Sequence, residues 1–312
     1  MKTKSQIFFI LMLIASLSLF FIACEKEEKD SEPNVNEGST TVQEVSADDN
    51  FQQKVSDDIM LDVEMILSGG NQRSFDWLPC NATIDSTNVI NDTITYHISY
   101  HGLNCPENLY RTGQVEIMKD VNTHWYMAGA SVIVKIMNLE VTRVATGQSI
   151  TINGTKTHTN VTGGLLIQLG YGVNQVIHRT AGFMTIEFDD NTNRTWNIAR
   201  RLVYTGTLGA FEVAMDGLGE AGVYGNLVTW GVSRSGDQFY ISIPQTVTVK
   251  QECLWNPVSG QQDIEIPSEN TGATITYGYD SNNQVVPPGE CPVKYKVDWY
   301  VNGASGTIFL WL

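Results

Sequence analysis

The sequence is short of basic residues, of cysteine and histidine, and of long hydrophobic runs. Its 312 residues contain 19 Lys and Arg against 34 Asp and Glu, a formal net charge of -15. Because neutralising phosphates requires clustered Lys and Arg, nucleic acid is excluded as an expected partner. Five histidines and five cysteines offer few metal ligands, and no metal site is expected. Hydrophobic residues make up 42% of the chain, which excludes a protein that is disordered throughout.

Signature motifs of common enzymes are also missing. The sequence has no HExxH, no Gly-x-Ser-x-Gly and no phosphate-binding loop. His97 and His101 lie in a predicted strand about 13 Å apart, which is too far to share a metal. The remaining histidines, His124, His158 and His178, lie in separate segments. We therefore expect neither an enzyme nor a bound cofactor.

The one long apolar run lies at the N-terminus. Ile7 to Ile22 is an uncharged, mostly apolar run of 16 residues that follows Lys2 and Lys4. Because a membrane-spanning helix needs roughly 20 apolar residues, this run is too short to be one. We interpret residues 1–23 as a signal peptide.

The end of that segment resembles the lipobox of bacterial lipoproteins. It reads Phe21-Ile22-Ala23-Cys24, with Phe21 in place of the usual leucine. The resemblance implies cleavage before Cys24 and attachment of acyl chains such as palmitate to Cys24, which would anchor the protein to a membrane. An ordinary signal peptide followed by an unrelated cysteine is the alternative.

The residues after Cys24 resemble the surface-export signal of Bacteroidota lipoproteins. In that signal a lysine and two acids follow the lipidated cysteine, as in Glu25-Lys26-Glu27-Glu28. The resemblance implies an outer-membrane lipoprotein at the cell surface. Retention on the periplasmic side, with these residues as a solvated linker, is the alternative.

The rest of the N-terminal region divides into a tether and a helix. Residues 24–46 lack apolar periodicity and predict a flexible acidic tether. Asp48 and Asp49 lie where the dipole of a following helix favours acids, and Gly69-Gly70 would end that helix. The predicted helix spans about residues 48–68. Its apolar stripe is formed by Phe51, Val55, Ile59, Val63 and Ile66.

From about residue 80 the hydrophobic period becomes two. Alternating segments include Thr93–Ile98, Gln114–Ile117, Ser149–Ile152, Thr185–Phe188 and Thr246–Lys250. Hairpin-forming sequences lie between such segments at Asn153-Gly154, Asp189–Asn191, Ser235–Asp237 and Asn302-Gly303. This pattern predicts a mainly β fold over residues 47–312, either an antiparallel sandwich or an open half-barrel, with one N-terminal helix on a face of the sheet.

Four cysteines remain beyond Cys24, and disulfides persist in the cell envelope. Four cysteines allow three connectivities. Sequence proximity favours Cys80–Cys105 and Cys253–Cys291, and so does a weak internal repeat in which Thr-Ile-Thr-Tyr precedes Cys-Pro near both ends of the domain. Four free thiols are the alternative.

The same arrangement resembles a group of uncharacterised Bacteroidota lipoproteins. The resemblance covers most of residues 75–310 and implies no particular activity. The matching residues are Cys80, Cys105, Arg111-Thr112-Gly113 (a turn in that group), Asn153-Gly154-Thr155, Cys253 and Cys291.

Aromatic residues offer the best candidates for ligand contact. Trp125 and Tyr126 lie beside Gly129 in a predicted loop, where their faces could stack on a ligand; core packing is the alternative. We expect a non-catalytic binding protein for a glycan or for a protein partner such as an outer-membrane barrel. An assembly subunit of a membrane complex and a carrier of hydrophobic ligands are alternatives, and a hydrolase ranks last.

Overall fold

The structure is a computed structural model that describes residues 37–68, 79–86, 89–207 and 209–312. Cys24, the signal peptide and most of the predicted tether lie outside these residues, so the anchor stays a prediction. Within the described ranges, no helix has the length and apolarity needed to cross a membrane.

In the described residues, one long helix precedes fifteen strands. The helix α1 spans Glu37–Ser68. The strands are β1 (Ala82–Ser86), β2 (Thr93–Leu103), β3 (Leu109–Asp120), β4 (Ala130–Arg143), β5 (Ser149–Asn160), β6 (Val176–Phe188), β7 (Asn193–Thr207), β8 (Ala210–Gly217), β9 (Gly219–Ala221), β10 (Tyr224–Val232), β11 (Gln238–Lys250), β12 (Asn256–Ile266), β13 (Thr271–Tyr279), β14 (Lys294–Val301) and β15 (Ala304–Trp311).

The strands form one antiparallel sheet with a nearly sequential order. The order runs from β1 to β7, then from β10 to β15, while β8 pairs with β7 and β11, and β9 pairs with β10. Antiparallel neighbours need only short connections, which is why turn-forming residues recur so often in the sequence. The predicted mainly β fold with one N-terminal helix is confirmed.

The helix begins at Glu37, eleven residues before the predicted start. Residues 37–46 therefore belong to α1 and not, as predicted, to the flexible tether. Val42 and Val45 are buried, and they extend the apolar side of the helix backward by two turns. The sequence pattern missed this extension because two valines among polar residues give a weak periodic signal. Burial against the sheet supplies the stability that local propensity lacks.

The sheet curves around α1. Buried residues occupy the consecutive positions 51–53 and again 62–64, and consecutive helical residues point about 100° apart. The sheet therefore covers more than half of the circumference of the helix. The exposed residues Thr40, Ala47 and Lys54 recur every seven residues and mark one open stripe. A single curved sheet that encloses a helix matches the open half-barrel of the two predicted architectures.

Three of the four predicted hairpin turns join strands as expected. Asp189–Asn191 connects β6 to β7, Ser235–Asp237 connects β10 to β11, and Asn302-Gly303 connects β14 to β15. The prediction at Asn153-Gly154 is wrong, because both residues lie inside β5. A Cβ on Gly154 would lie 2.4 Å from the carbonyl oxygen of Phe183 in β6. This glycine therefore permits a close approach of two strands.

The two predicted disulfides are confirmed. Cys80, just before β1, pairs with Cys105, just after β2, and Cys253, just before β12, pairs with Cys291 in the connection between β13 and β14. The Cα atoms are 5.1 Å and 5.3 Å apart, within the range that a disulfide can bridge. Each bond therefore closes the ends of a two-stranded unit.

Candidate functional site

Ionisable residues line the interface between α1 and the sheet. The buried acids of α1 are Asp48, Asp49, Asp62 and Glu64, and the buried bases of the strands are Arg111, Lys156, His158, His178, Arg194 and Arg200. A buried charge without a partner is costly, so the contacts of each group decide what this interior can do. Asp48 and Asp49, predicted at the helix start, lie within the helix because α1 begins earlier.

Asp49 is the centre of a group that joins α1 to β7 and β10. Its Oδ1 accepts hydrogen bonds from Trp196 Nε1 at 3.0 Å and from Thr229 Oγ1 at 2.9 Å. Arg194 Nη2 lies 3.5 Å from the same oxygen. Burial raises the pKa of Asp49, and the Arg194 guanidinium opposes that shift. Gln53 Nε2 donates to the other carboxylate oxygen, Oδ2, so three donors and a permanent cation surround this carboxyl group.

Asp48, the neighbouring acid, faces the turn between β10 and β11. Arg234 Nε in that turn donates to Asp48 Oδ2 at 2.7 Å, and the Arg234 guanidinium lies 3.8 Å from the centre of the Phe188 ring. A cavity of about 100 Å³ adjoins this pair. The side chains that line it include Asp48, Phe51, Arg143, Phe188, Asp189 and Arg234.

Arg111 of β3 holds the second half of α1. Its Nη1 lies 2.7 Å from Asp58 Oδ2 and 2.7 Å from Asp62 Oδ2, and Tyr100 donates to Asp62 Oδ2 at 2.9 Å. Burial raises the pKa of Asp62 to about 6 against the pull of Arg111. The resemblance places Arg111 in a turn, but the structure places it in a strand, where its side chain reaches the helix.

Lys156 and Arg200 lie between these groups. Lys156 Nζ donates to Ser56 Oγ at 2.9 Å, and Arg200 pairs with Asp57. Burial and, to a smaller extent, the nearby Arg200 charge lower the pKa of Lys156 to about 7. Lys156 is therefore only partly charged near pH 7.

The last group, Glu64 with His158 and His178, has histidines where the others have arginine. Glu64 Oε1 lies 3.5 Å from His158 Nε2 and 3.4 Å from His178 Nδ1. One ligand-type atom from each residue lies within 4.8 Å of the other two. All three side chains are buried. The cluster joins α1 to β5 and β6.

Two neighbouring residues contact the atoms of this cluster that point away from its centre. Trp125 Nε1 donates to Glu64 Oε2 at 2.9 Å, and Thr180 Oγ1 lies 2.8 Å from His158 Nδ1. The atoms that face the centre of the cluster have no such contacts. Among the described residues, no hydrogen-bond partner satisfies Glu64 Oε1, His158 Nε2 or either ring nitrogen of His178.

Burial decides the protonation of the two imidazoles. It lowers the pKa of His158 to about 3, and the charges of Lys156 and Arg200 add to this effect. It lowers the pKa of His178 to about 4 against the attraction of Glu64. Both rings are therefore neutral at pH 7, and the short contacts to Glu64 are not ion pairs at that pH.

The structure separates the two predicted ligand-binding aromatics. Trp125 is only 2% exposed and donates to Glu64, so it has no free face for stacking, and that part of the prediction is corrected. The indole is buried because neighbouring rings of His158 and His178 cover it. Tyr126 is 52% exposed and stacks on His124 with ring centres 5.2 Å apart. Ligand contact at Tyr126 stays a prediction.

The histidine cluster was not predicted from the sequence, and the expectation that these histidines lie apart is wrong. His158 of β5 lies opposite Thr180 of β6, so His178 is two residues along the same face. Lys156, His158 and Asn160 occupy alternate inward positions, a spacing that could have shown them on one face. The outward positions 155, 157 and 159 beside them are threonines, so polarity alternation could not identify the inner face of this part of β5.

Comparison of the chain with protein families, with curated proteins and with solved structures finds no match in any of the three. The roles of these residues therefore have to be argued from the geometry of the chain itself.

Proposed function

We propose that this protein is an outer-membrane lipoprotein, anchored through Cys24 and exposed at the cell surface, that binds a protein partner without catalysis. The lipobox-like segment and the acidic residues after Cys24 support this location at the cell surface. Exposed apolar side chains on two adjoining loops support the binding role, and this is the observation that carries it.

The two loops lie at one end of the sheet. The β3–β4 loop exposes Tyr126 and Met127, and the β5–β6 loop exposes Ile167 and Tyr171. Tyr171 is 78% exposed, so most of its side chain is open to a partner. We refer to these four residues as the binding end. Large apolar side chains presented together are typical of interaction surfaces.

Hydrogen bonds fix the backbone of both loops. Gly164 N donates to the carbonyl oxygen of Tyr126 at 2.9 Å. Asn160 Nδ2 donates to the carbonyl oxygens of Trp125 at 2.9 Å and Gly164 at 2.8 Å. A Cβ on Gly163, whose φ is +77°, would lie 2.8 Å from the same Tyr126 oxygen, so close contact between the loops requires glycine there. A surface fixed before binding loses less conformational entropy on association.

The chemistry of the binding end favours a protein partner. Met127 and Ile167 have no flat ring to stack on a sugar, whereas mixtures of aromatic and thioether side chains are enriched at protein interfaces.

A carrier of hydrophobic ligands fits the structure less well. The helix and its charged residues occupy the concave side of the sheet, and the cavity of about 100 Å³ is smaller than the roughly 300 Å³ of a typical ligand pocket.

The address is tested by two changes in the N-terminal segment. Cys24→Ala should move the protein from the membrane fraction to the soluble fraction. Replacing Lys26, Glu27 and Glu28 with alanine should leave it anchored but protected from protease added to intact cells. Unchanged protease sensitivity in that variant would contradict surface export by this signal.

The binding role is tested by Tyr126→Ala/Tyr171→Ala in cross-linking on intact cells. We expect the wild type to cross-link to one outer-membrane protein and the double variant to lose that product. Tyr110→Ala is the matched control, because Tyr110 is 40% exposed at the opposite end of β3. A cross-link that survives in the double variant rejects the binding end. A glycan captured by the wild type and lost in the same variant would replace the protein partner with a glycan.

A further inference from the structure

We propose that Glu64, His158 and His178 bind one divalent transition-metal ion, by preference zinc. The site lies inside the domain, beneath the binding end, and the proposal does not depend on that surface having a partner. Two neutral imidazoles and a carboxylate form a ligand set that suits zinc and its neighbours among the transition metals.

The distances from Glu64 Oε1 to the two imidazole nitrogens fit a tetrahedral ion. Zinc binds nitrogen and oxygen ligands at about 2.0–2.1 Å, which places two tetrahedral ligands about 3.4 Å apart. Glu64 Oε1 lies 3.5 Å from His158 Nε2 and 3.4 Å from His178 Nδ1. Direct N–H···O hydrogen bonds are usually about 2.9 Å long, so these separations are long for direct contact.

The inward atoms also lack other partners. Glu64 Oε1, His158 Nε2 and His178 Nδ1 are buried, and the described part of the chain offers them no hydrogen bond. Leaving buried polar atoms unsatisfied costs free energy. One cation between them would satisfy all three at once, since each atom can present a lone pair.

The surrounding contacts orient the ligands as in known metal sites. When His158 Nδ1–H donates to Thr180 Oγ1, the Nε2 lone pair faces Glu64 Oε1. Trp125 holds the other carboxylate oxygen. Such outer contacts fix the imidazole tautomer and the carboxylate direction. Without an ion, this tautomer would place a lone pair against a carboxylate oxygen.

The position of the site indicates a structural role. Its ligands come from α1, β5 and β6, so a bound ion would fix the second half of the helix to the sheet. The ligands are buried and closed to a substrate. Three protein ligands leave the fourth tetrahedral position for a small molecule such as water.

Metal binding is tested on the full chain purified in detergent, stripped with a chelator and loaded with Zn²⁺ alone. We expect uptake of about one ion per chain by the wild type, and affinity at least about tenfold weaker in His158→Gln/His178→Gln. His97→Gln is the matched control. His97 Nδ1 also lies 3.4 Å from a carboxylate oxygen, that of Glu116, but the pair is partly exposed and lacks a second histidine.

Two further measurements on the wild type keep the test decisive if the double variant does not fold. Zn²⁺ should raise the unfolding temperature relative to chelator, because binding only to the folded state stabilises it. Co²⁺ in place of Zn²⁺ should give the intense visible absorption of a four-coordinate site. No uptake together with an unchanged unfolding temperature would overturn the proposal, leaving hydrogen bonds from the two histidines to Glu64. Undiminished uptake by a folded double variant would overturn it as well.

Discussion

Asp49 and Glu64 occupy equivalent settings at the two ends of the charged interior. Both are buried acids of α1, and each accepts a hydrogen bond from a tryptophan of the sheet side, Trp196 and Trp125 respectively. They differ in what completes the group. Asp49 faces Arg194, whereas Glu64 faces two histidines.

This difference shows that two kinds of charged group join the same helix to the sheet. An arginine keeps its charge under any ordinary condition, so the Asp49 group is complete once the chain folds. Neutral imidazoles carry no charge, so the balance of the Glu64 group depends on a proton or on a bound cation. The arginine end is therefore fixed by the sequence alone, and the histidine end can respond to its surroundings.

The largest expected effect comes from breaking the arginine end with Arg194→Met. This change leaves Asp49 buried without its cation, and removing one partner of a buried pair costs about 3–5 kcal/mol. Urea unfolding at pH 7 measures the loss. Arg201→Met is the control on the same strand, because its pair with Asp216 is partly exposed and should contribute less than about 1 kcal/mol. Equal losses in the two variants would contradict the contrast between buried and surface pairs.

The Cys80–Cys105 disulfide adjoins a segment that contacts the second half of α1, so removing it tests how that half of the helix is held. Cys80→Ala/Cys105→Ala should lower the free energy of unfolding by roughly 3–4 kcal/mol on the chain-entropy argument. Asn104, next to Cys105, donates to Asp58 of α1 at 3.1 Å, so amide exchange should quicken most in the second half of the helix. Cys253→Ala/Cys291→Ala is the matched comparison. The same local exchange pattern in both variants would disprove the link to Asn104.

A smaller effect is expected in the pH dependence of the free energy of unfolding, measured while a chelator keeps the protein free of metal. His158 and His178 have lowered pKa values in the folded state, so between about pH 6.5 and 4 the unfolded chain binds more protons. Stability from these groups is present above pH 6.5 and is lost as pH falls. Because two histidines are involved, wild type should lose about 2 kcal/mol more per pH unit between pH 7 and 5 than His158→Gln/His178→Gln. Parallel stability curves would show that the histidines do not resist protonation.

The buried carboxyl group of Asp62 does not affect that comparison. The pKa of Asp62 is raised to about 6, so its contribution runs the other way and stability falls as pH rises from about 4 to 6. Because Asp62 is present in both proteins, its effect cancels in the difference. Urea midpoints at pH 7 and pH 5 are sufficient for the measurement.

Local sequence signals predicted much of the fold. Phe51, Val55, Ile59 and Val63 are buried on α1 as their spacing predicts, and Ile66 packs partly buried against the core. Turn residues such as Ser235–Asp237 mark real connections because short polar segments between alternating strands have few other conformations. Gly154 was misread since glycine serves both turns and close strand contacts.

The candidate site was less predictable because its members are distant in sequence. Glu64 lies in the helix and the two histidines lie in separate strands, so no spacing rule joins them. Trp125 looked like a loop aromatic, and only the fold shows that it covers the cluster. The register of β5 with β6 and the rotation of α1 bring these side chains together.

The sequence by itself determined the β-rich composition, the helix stripe and the two disulfide pairs, because these depend on periodicity and on neighbours along the chain. Tertiary structure alone decided that residues 37–46 join the helix and that the acids of α1 turn inward. The physical reason is that residues 155–160 of β5 are polar on both faces, so hydrophobicity cannot mark their inner side. Only the curvature of the sheet around the helix selects Lys156 and His158 for burial and leaves the threonines between them outside.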